Sequence, residues 1–356
     1  LTDHTLPVEH VPSDELPGDH LQTDDSPLEG VDLVLADLDG VVYKGDGAIP
    51  HAVESITGAS EGRRIGYLTN NASRTPASVA EHLADLGLAV TADDVVTSPQ
   101  AAVRLLADLV PAGSTVLVVG GEGLTSVTEA AGFVVTRSAL DGPAAVIQGF
   151  APEVGWKDLA EASFALNDDA ARPWVATNTD WTIPVARGIA PGNGTLVGAV
   201  HNAVGRLPVV AGKPEVAIFE EAVRRFGGSN PLFIGDRLDT DILGANRAGM
   251  KSVLVLTGID GKKQVLAADK KARPTYILDD LRGLHEPYPA PITSIDAATG
   301  DRIVTVGSSA VRFAGTVVSV ENAGERPIDL LRAAASAIWE SGLPIYGLDV
   351  APELYS

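Results

Sequence analysis

VDLVLADLDG, residues 31–40, is an apolar run that ends in two carboxylates. Val31, Leu33, Val34 and Leu35, bounded by turn-forming residues, predict a buried strand of a parallel sheet. The strand runs directly into Asp37 and Asp39, with Leu38 between them and Gly40 closing the segment. Residues two apart at a strand end project to the same side. Both acids are therefore expected in the crevice above the carboxyl ends of the strands, where open α/β sheets hold their ligands. Two like charges so close are costly without a cation or a proton between them. Asp-x-Asp-Gly is also good turn chemistry, so an acidic strand-to-loop turn is the plainer reading.

Downstream of the pair, Gly45-Asp46-Gly47 predicts a hairpin turn, hence a small β-flap over the crevice. A helix follows, then RRIGYLTNN, a second strand delivering Thr69, Asn70 and Asn71 where the first delivered its aspartates. Arg74-Thr75-Pro76 opens the next helix, and an asparagine cap is the competing reading of the amides. Residues 103–207 read as a separate α/β unit with strands Thr115–Val119, Ala145–Gln148 and Trp174–Ala176. Its GGEG at 120–123 lacks the third glycine of a dinucleotide fingerprint and reads as a turn. The segment 176–194, ATNTDWTIPVARGIAPGNG, reads as a long loop carrying Asn178, Asp180, Trp181 and Arg187. Loops of that length inside compact domains are usually functional or disordered.

The chain then presents Lys213 between Gly212 and Pro214, ahead of a helix with Val216, Phe219, Ala222, Val223 and Phe226 at helical spacing. A lysine fixed at such a turn suits a phosphate contact; a solvated surface charge is the alternative. Strand Leu232–Ile234 ends in Gly235-Asp236, and a helix is expected from near Thr240 to Gly249, capped by Asp239 with Asp241 in its first turn. Ser252–Leu256 reads as another strand. A Pro-rich linker is expected at 283–291, and a last small unit at 292–356. In that unit strands are expected over Arg302–Val306, Ala310–Val320 and Ile345–Leu348, with a helix over Ile328–Glu340.

Bulk properties narrow the function. The 356 residues suit two or three domains, and a net charge of −21 offers no basic stripe for a nucleic acid polymer. No cysteine is present, which excludes disulfides, thiolate metal sites and cysteine nucleophiles. No apolar run is long enough to cross a membrane, and no basic-then-apolar signal pattern opens the sequence, so a cytoplasmic location is expected. Residues 1–29 are acidic and lack apolar periodicity; a flexible tail is expected, its irregularly spaced His4, His10 and His20 solvated rather than metal-binding.

Four crevice elements then stand in order: Asp37/Asp39, Thr69/Asn70, Lys213 and Asp236/Asp241. Mg²⁺ prefers carboxylate and carbonyl oxygens, which Asp37 and Asp236 supply. Phosphoryl transfer needs positioning and charge neutralisation, which the cation, Lys213, the Thr69 hydroxyl and amide N–H groups provide. An aspartate is a competent nucleophile, and a second carboxylate a competent acid and base.

DLDGVVY, TNN, GKP and GDRLDTDI, in that order, resemble the four motifs of the haloacid dehalogenase (HAD) superfamily. They are similar in particular to its NagD-like, p-nitrophenylphosphatase-like members, which carry a C2-type cap. The resemblance covers roughly residues 30–282. It implies an α/β Rossmann-like core (30–102 and 208–282), an inserted α/β C2 cap (103–207) and, beyond the linker, a C-terminal α+β module (292–356). It implies Asp37 as nucleophile and Asp39 as general acid and base. It further implies Mg²⁺ held by Asp37, the Asp39 carbonyl and Asp236 with Asp241 in support, and the phosphoryl group held by Thr69, Asn70 and Lys213. Asn178 and Asp180 fall in the family's cap segment, which faces the substrate. Ile183-Pro184 stands where pyridoxal-phosphate-type relatives place His-Pro, which disfavours that substrate. The whole architecture is similar to bacterial glycerol 3-phosphate phosphatases whose appendage resembles part of an acetyltransferase (GNAT) fold. That implies a small phosphorylated metabolite, glycerol 3-phosphate first. A nucleoside monophosphate, 2-phosphoglycolate or a sugar phosphate follows, and homo-oligomers occur among relatives. The appendage lacks a pyrophosphate-cradling glycine loop, so a structural or regulatory, partner-binding module is expected rather than a second catalytic site.

Overall fold

The computed structural model describes residues 25–185 and 187–356. His4, His10, His20 and the rest of the expected tail up to residue 24 lie outside the described residues. The tail expectation fails at its inner end: Leu28 is buried in the core and the Asp25 carbonyl accepts from Tyr288 N.

Six parallel strands form the central sheet, in the order Tyr276–Leu278, Lys251–Val255, Pro231–Gly235, Leu33–Ala36, Arg64–Thr69, Val95–Thr97. Chain order reverses between Leu33–Ala36 and Pro231–Gly235, so the topological switch point lies between the strands that end in Asp37 and Asp236. Every residue of Leu33–Ala36 is buried, as a central parallel strand requires. Alternation along the strand sends Leu33 and Leu35 to one apolar cluster, with Leu106, Ile218 and Phe219, and Val34 and Ala36 to the other, with Ile56 and Leu83. Helices therefore cover both faces, and the open edge above the strand ends is left for chemistry.

The inserted unit is a second parallel sheet, ordered Val209–Val210, Trp174–Ala176, Ala145–Gln148, Thr115–Val119, Val134–Thr136. Three of its strands match the sequence reading; Val134–Thr136 and Val209–Val210 are too short to show periodicity. Its limits also differ from 103–207. The helix Ser98–Leu109 runs across the first limit, and Val209–Val210 pairs with Trp174–Ala176 beyond the second. The expected long loop contains a two-stranded hairpin, Thr182–Val185 with Gly188–Pro191. The small flap is present as Tyr43–Lys44 paired with Gly47–Ala48.

The C-terminal unit is a sheet ordered Ile292–Ile295, Arg302–Val306, Ser309–Ala314, Val317–Asn322, Asp349–Val350, with the helix Pro327–Ser341 against it. The expected strand Ala310–Val320 is a hairpin bent at Gly315, whose φ of +63° suits a tight turn. The expected strand Ile345–Leu348 is instead a 3₁₀ turn, Ile345–Gly347, followed by the short strand. The Pro-rich segment 283–291 packs on the core: Leu284 and Tyr288 are buried, and the Tyr288 hydroxyl accepts from Ile277 N. No described helix is long and apolar enough to cross a membrane.

Candidate active site

At the switch point the two central strands release Asp37 and Asp236 side by side. Asp37 is 8% exposed, Asp236 2% and Asp241 not at all. One oxygen from each of the three lies within 4.8 Å of the others. The Lys213 Nζ lies 2.6 Å from Asp37 Oδ1 and 2.6 Å from Asp241 Oδ1. One lysine among three buried carboxylates leaves negative charge uncompensated. Desolvation raises the Asp37 pKa well above the carboxylate range even though Lys213 opposes it, and neighbouring Asp241 and Asp236 add to the rise. Asp236 is pushed up to about 7, by burial first and by Asp241 next. Lys213 is driven upward by the two carboxylates beside it, against the downward pull of its own burial. Buried acids so disposed fit a hard divalent cation. Asp241 Oδ1 receives no well-directed hydrogen bond despite its closeness to Lys213, which leaves a lone pair free for such an ion.

The acidic loop is shaped by its backbone. Asp241 Oδ2 accepts from Asp236 N and Arg237 N, both at 3.1 Å, and so pins the turn that carries Asp236. Asp236 Oδ2 accepts from Ile259 N at 2.8 Å. Gly40, at φ +84°, brings its backbone against this carboxylate; a Cβ there would lie 2.3 Å from Asp236 Oδ2. Asp239 does not cap a helix. Arg237 opens the turn Leu238–Ile242, and Asp239 pairs with the Arg237 guanidinium because its side chain faces solvent.

Asp39 differs from Asp37. It lies toward solvent at the mouth of the recess, where desolvation raises its pKa and the charges of Lys213, Arg74 and His82 oppose the rise. Thr69 is buried at its strand end, its Oγ1 accepting from Asn71 N. The Asn70 side chain is fully engaged. Its Oδ1 accepts from Lys213 N at 2.8 Å, and its Nδ2 donates to the Lys213 carbonyl at 3.0 Å and to both Asp180 oxygens at 3.2 Å. Asn178 is buried: its Nδ2 donates to the Asn70 carbonyl at 2.7 Å, and its Oδ1 accepts from Asp180 N. Of the cap pair, Asn178 is thus a strut, whereas Asp180 faces a cleft of about 210 Å³ with Trp181, Lys213 and Arg237. Gly212 permits this contact, since a Cβ there would lie 2.5 Å from the Thr177 carbonyl and 2.6 Å from Asn70 Oδ1. Arg187 is exposed and lies outside the cleft wall.

Sequence reasoning passed over several residues that complete the site. Ser98 donates to the Asn70 carbonyl, Asn193 to the Asn178 carbonyl, and Asp260 accepts from Leu238 N. Only Ser98 carried a local signal, standing with Pro99 at a helix start.

A doubly wound sheet with buried carboxylates and a lysine at its switch point, beside an inserted α/β unit, places its charged groups where open α/β folds hold their ligands. The family model described as haloacid dehalogenase-like hydrolase matches residues 34–134, and a second HAD-hydrolase-like model matches 210–284. The D-glycerol 3-phosphate phosphatase of Mycobacterium tuberculosis is 43% identical over 316 residues, spanning 87% of this chain and 86% of that one. The chain belongs to the haloacid dehalogenase-like hydrolases. The 5′-nucleotidase YutF of Bacillus subtilis is 34% identical over 69% of this chain and 94% of its own. Among solved structures, the M. tuberculosis glycerol phosphate phosphatase in complex with magnesium superposes with a TM-score of 0.80 at 40% identity, covering 92% of this chain and 94% of that one. The p-nitrophenyl phosphatase of Archaeoglobus fulgidus gives 0.66 at 28% identity over 71% and 98%.

Proposed function

We propose that this chain is a magnesium-dependent phosphatase of small phosphoesters, with glycerol 3-phosphate its preferred substrate. The observation that carries the reading is Lys213 held between Asp37 and Asp241 beside Asp236, beneath a cleft of about 210 Å³. The relative with 43% identity is a D-glycerol 3-phosphate phosphatase, and the solved glycerol phosphate phosphatase contains magnesium.

In this reading Asp37, Asp236 and Asp241 hold the cation, with the Asp39 carbonyl. Bound there, it neutralises the phosphate and the surplus carboxylate charge. An Asp37 oxygen attacks phosphorus, the ester P–O bond breaks, and Asp39 gives its proton to the departing alkoxide oxygen. The raised pKa of Asp39 suits a group that must carry a proton at this step. Asp39 then takes a proton from a water that attacks phosphorus, and phosphate leaves Asp37 as a carboxylate. Lys213 and the Thr69 hydroxyl steady the equatorial oxygens. Residues 30–102 and 208–282 serve as core and 103–207 as cap in this scheme, with the limits shifted as the strands require.

Phosphate release from glycerol 3-phosphate, 2-phosphoglycolate, UMP and a sugar phosphate, each with Mg²⁺, tests the reading. Asp37→Asn keeps the shape and removes the nucleophile. Turnover of one small ester, abolished by the substitution and by chelator, is expected. A folded wild type that releases phosphate from none of them defeats the proposal. Trp181, exposed on the cleft wall, offers a base-stacking face, so preference for UMP is the specific alternative.

A further inference from the structure

The C-terminal unit shares its apolar core with the acidic loop. Leu238 and Ile242, which flank Asp239 and Asp241, belong to one buried cluster with Val265, Leu266 and Ile277 of the core and with Ile328, Leu331 and Ile338 of the C-terminal helix. That helix is buried along most of its length, including Asp329 and Arg332, which a helix with one solvated face would leave exposed. Its polar groups bind the core's backbone. Arg332 donates through Nε and Nη2 to the Ile277 carbonyl at 2.9 and 2.8 Å, pairs with Asp329, and lies 4.0 Å over the Tyr288 ring. Trp339 Nε1 donates to the Val265 carbonyl, and Arg273 donates back to the Trp339 carbonyl.

The path from there to the site is short. Val265 belongs to the helix Lys262–Leu266, which begins immediately after the segment that grips Asp236. In that segment Ile259 N donates to the Asp236 carboxylate, Asp260 N to the Asp236 carbonyl, and Asp260 Oδ2 accepts from Leu238 N at 2.6 Å. We propose that the C-terminal unit is a fixed buttress of the metal-holding loop, with Trp339 a positioning residue for Asp236, rather than a tethered module with a partner of its own. The inference rests on the reading of Asp37, Asp236 and Asp241 as cation ligands.

The test measures Mg²⁺ binding to the full chain by calorimetry at 20 °C, with no substrate present, for wild type, Trp339→Phe and Trp339→Ala. Supporting groups behind metal ligands typically govern about 10–100-fold in affinity. Trp339→Ala is expected to weaken Mg²⁺ about tenfold and Trp339→Phe less, while KM at saturating Mg²⁺ stays within about twofold. If Trp339→Ala does not fold, the paired variant Asp329→Leu/Arg332→Met, which replaces a buried ion pair by apolar groups, is read by the same criterion. A folded variant with a lowered Tm but unchanged Mg²⁺ affinity overturns the proposal, because a merely structural unit would behave that way. A wild type that binds Mg²⁺ yet hydrolyses nothing defeats the phosphatase reading and leaves this one standing. A wild type that binds no Mg²⁺ defeats both.

Discussion

Asp236→Asn should stabilise the metal-free protein at alkaline pH, although it removes a residue of the site. Burial and Asp241 raise the Asp236 pKa from 3.8 to about 7. A buried acid shifted upward is favoured in its neutral form. Its contribution to stability is complete below 3.8 and is lost as pH rises to and beyond about 7. A shift of about 3 units at about 1.4 kcal/mol each makes the ionised group cost ~4 kcal/mol at pH 8. That shift already contains the opposing effect of the hydrogen bond from Ile259 N, which lowers the pKa. The gain from asparagine is therefore ~4 kcal/mol, or about 8 °C at roughly 2 °C per kcal/mol for a large chain.

Thermal melts in chelator at pH 8 and pH 5 would measure it. At pH 5 the wild type has lost only about 1 unit's worth of that stability, so the gap should shrink to about 1.5 kcal/mol. Added Mg²⁺ at about 100 times its Kd should close more than half of the gap at pH 8. A ligand that binds only the native state raises stability by about 2.7 kcal/mol at 100 times its Kd, and the variant lacks one of the ligands. A variant that melts at or below wild type in chelator at pH 8, or a gap that does not narrow at pH 5, would refute the reasoning. Asp236 would then be compensated by groups already in the protein.

Three further substitutions probe the same centre. Asn70→Ala breaks the bonds to the Lys213 backbone and to Asp180, and kcat/KM should fall about 10–100-fold in steady-state assays while far-UV circular dichroism is unchanged. Gly212→Ala drives a methyl onto the Thr177 carbonyl and Asn70 Oδ1, costing about 1–3 kcal/mol by denaturant unfolding. Lys213→Met leaves Asp37 and Asp241 without their cation, and should destabilise the metal-free protein by roughly 3–5 kcal/mol at pH 8, with Mg²⁺ recovering most of the loss. A Lys213→Met protein as stable as wild type in chelator would place the compensating charge elsewhere.

The fold was legible where local chemistry and tertiary demand agree. Leu33–Ala36 is a continuous apolar run because both of its faces are covered, and that coverage also fixes where Asp37 emerges. Thr75 is a true cap, accepting from Ser78 N ahead of Pro76, and its sequence signal is wholly local. The misreadings arose where such signals compete with longer-range pairing. Asp239 has the composition of a cap, but Asp241 takes the backbone N–H groups of Asp236 and Arg237 and leaves Asp239 to its neighbour Arg237. Ala310–Val320 is β-prone throughout, and only the positive φ available to Gly315 splits it into two strands.

The site divides along the same line. Asp37, Thr69, Lys213 and Asp236 each stand at the end of a strand or at a strand-to-helix turn, so their direction follows from the backbone and could be inferred one by one. Asn70 could not. As a strand-end amide it looked free to meet a phosphate, yet it is held by Lys213 at a separation of 143 residues and by Asp180 at 110. An amide with its oxygen and both of its useful donor directions taken is poorly placed to bind a substrate, but it ties together two segments that line one cleft. Asp180 of the inserted unit binds Asn70, Asn70 holds the Lys213 backbone, and Lys213 sets its ammonium between Asp37 and Asp241. Cap position and the charge balance of the acidic centre are thereby linked through one side chain. Asn70→Ala should accordingly impair turnover more than it impairs the binding of inorganic phosphate, and equal losses in both would return Asn70 to the role of a phosphate ligand.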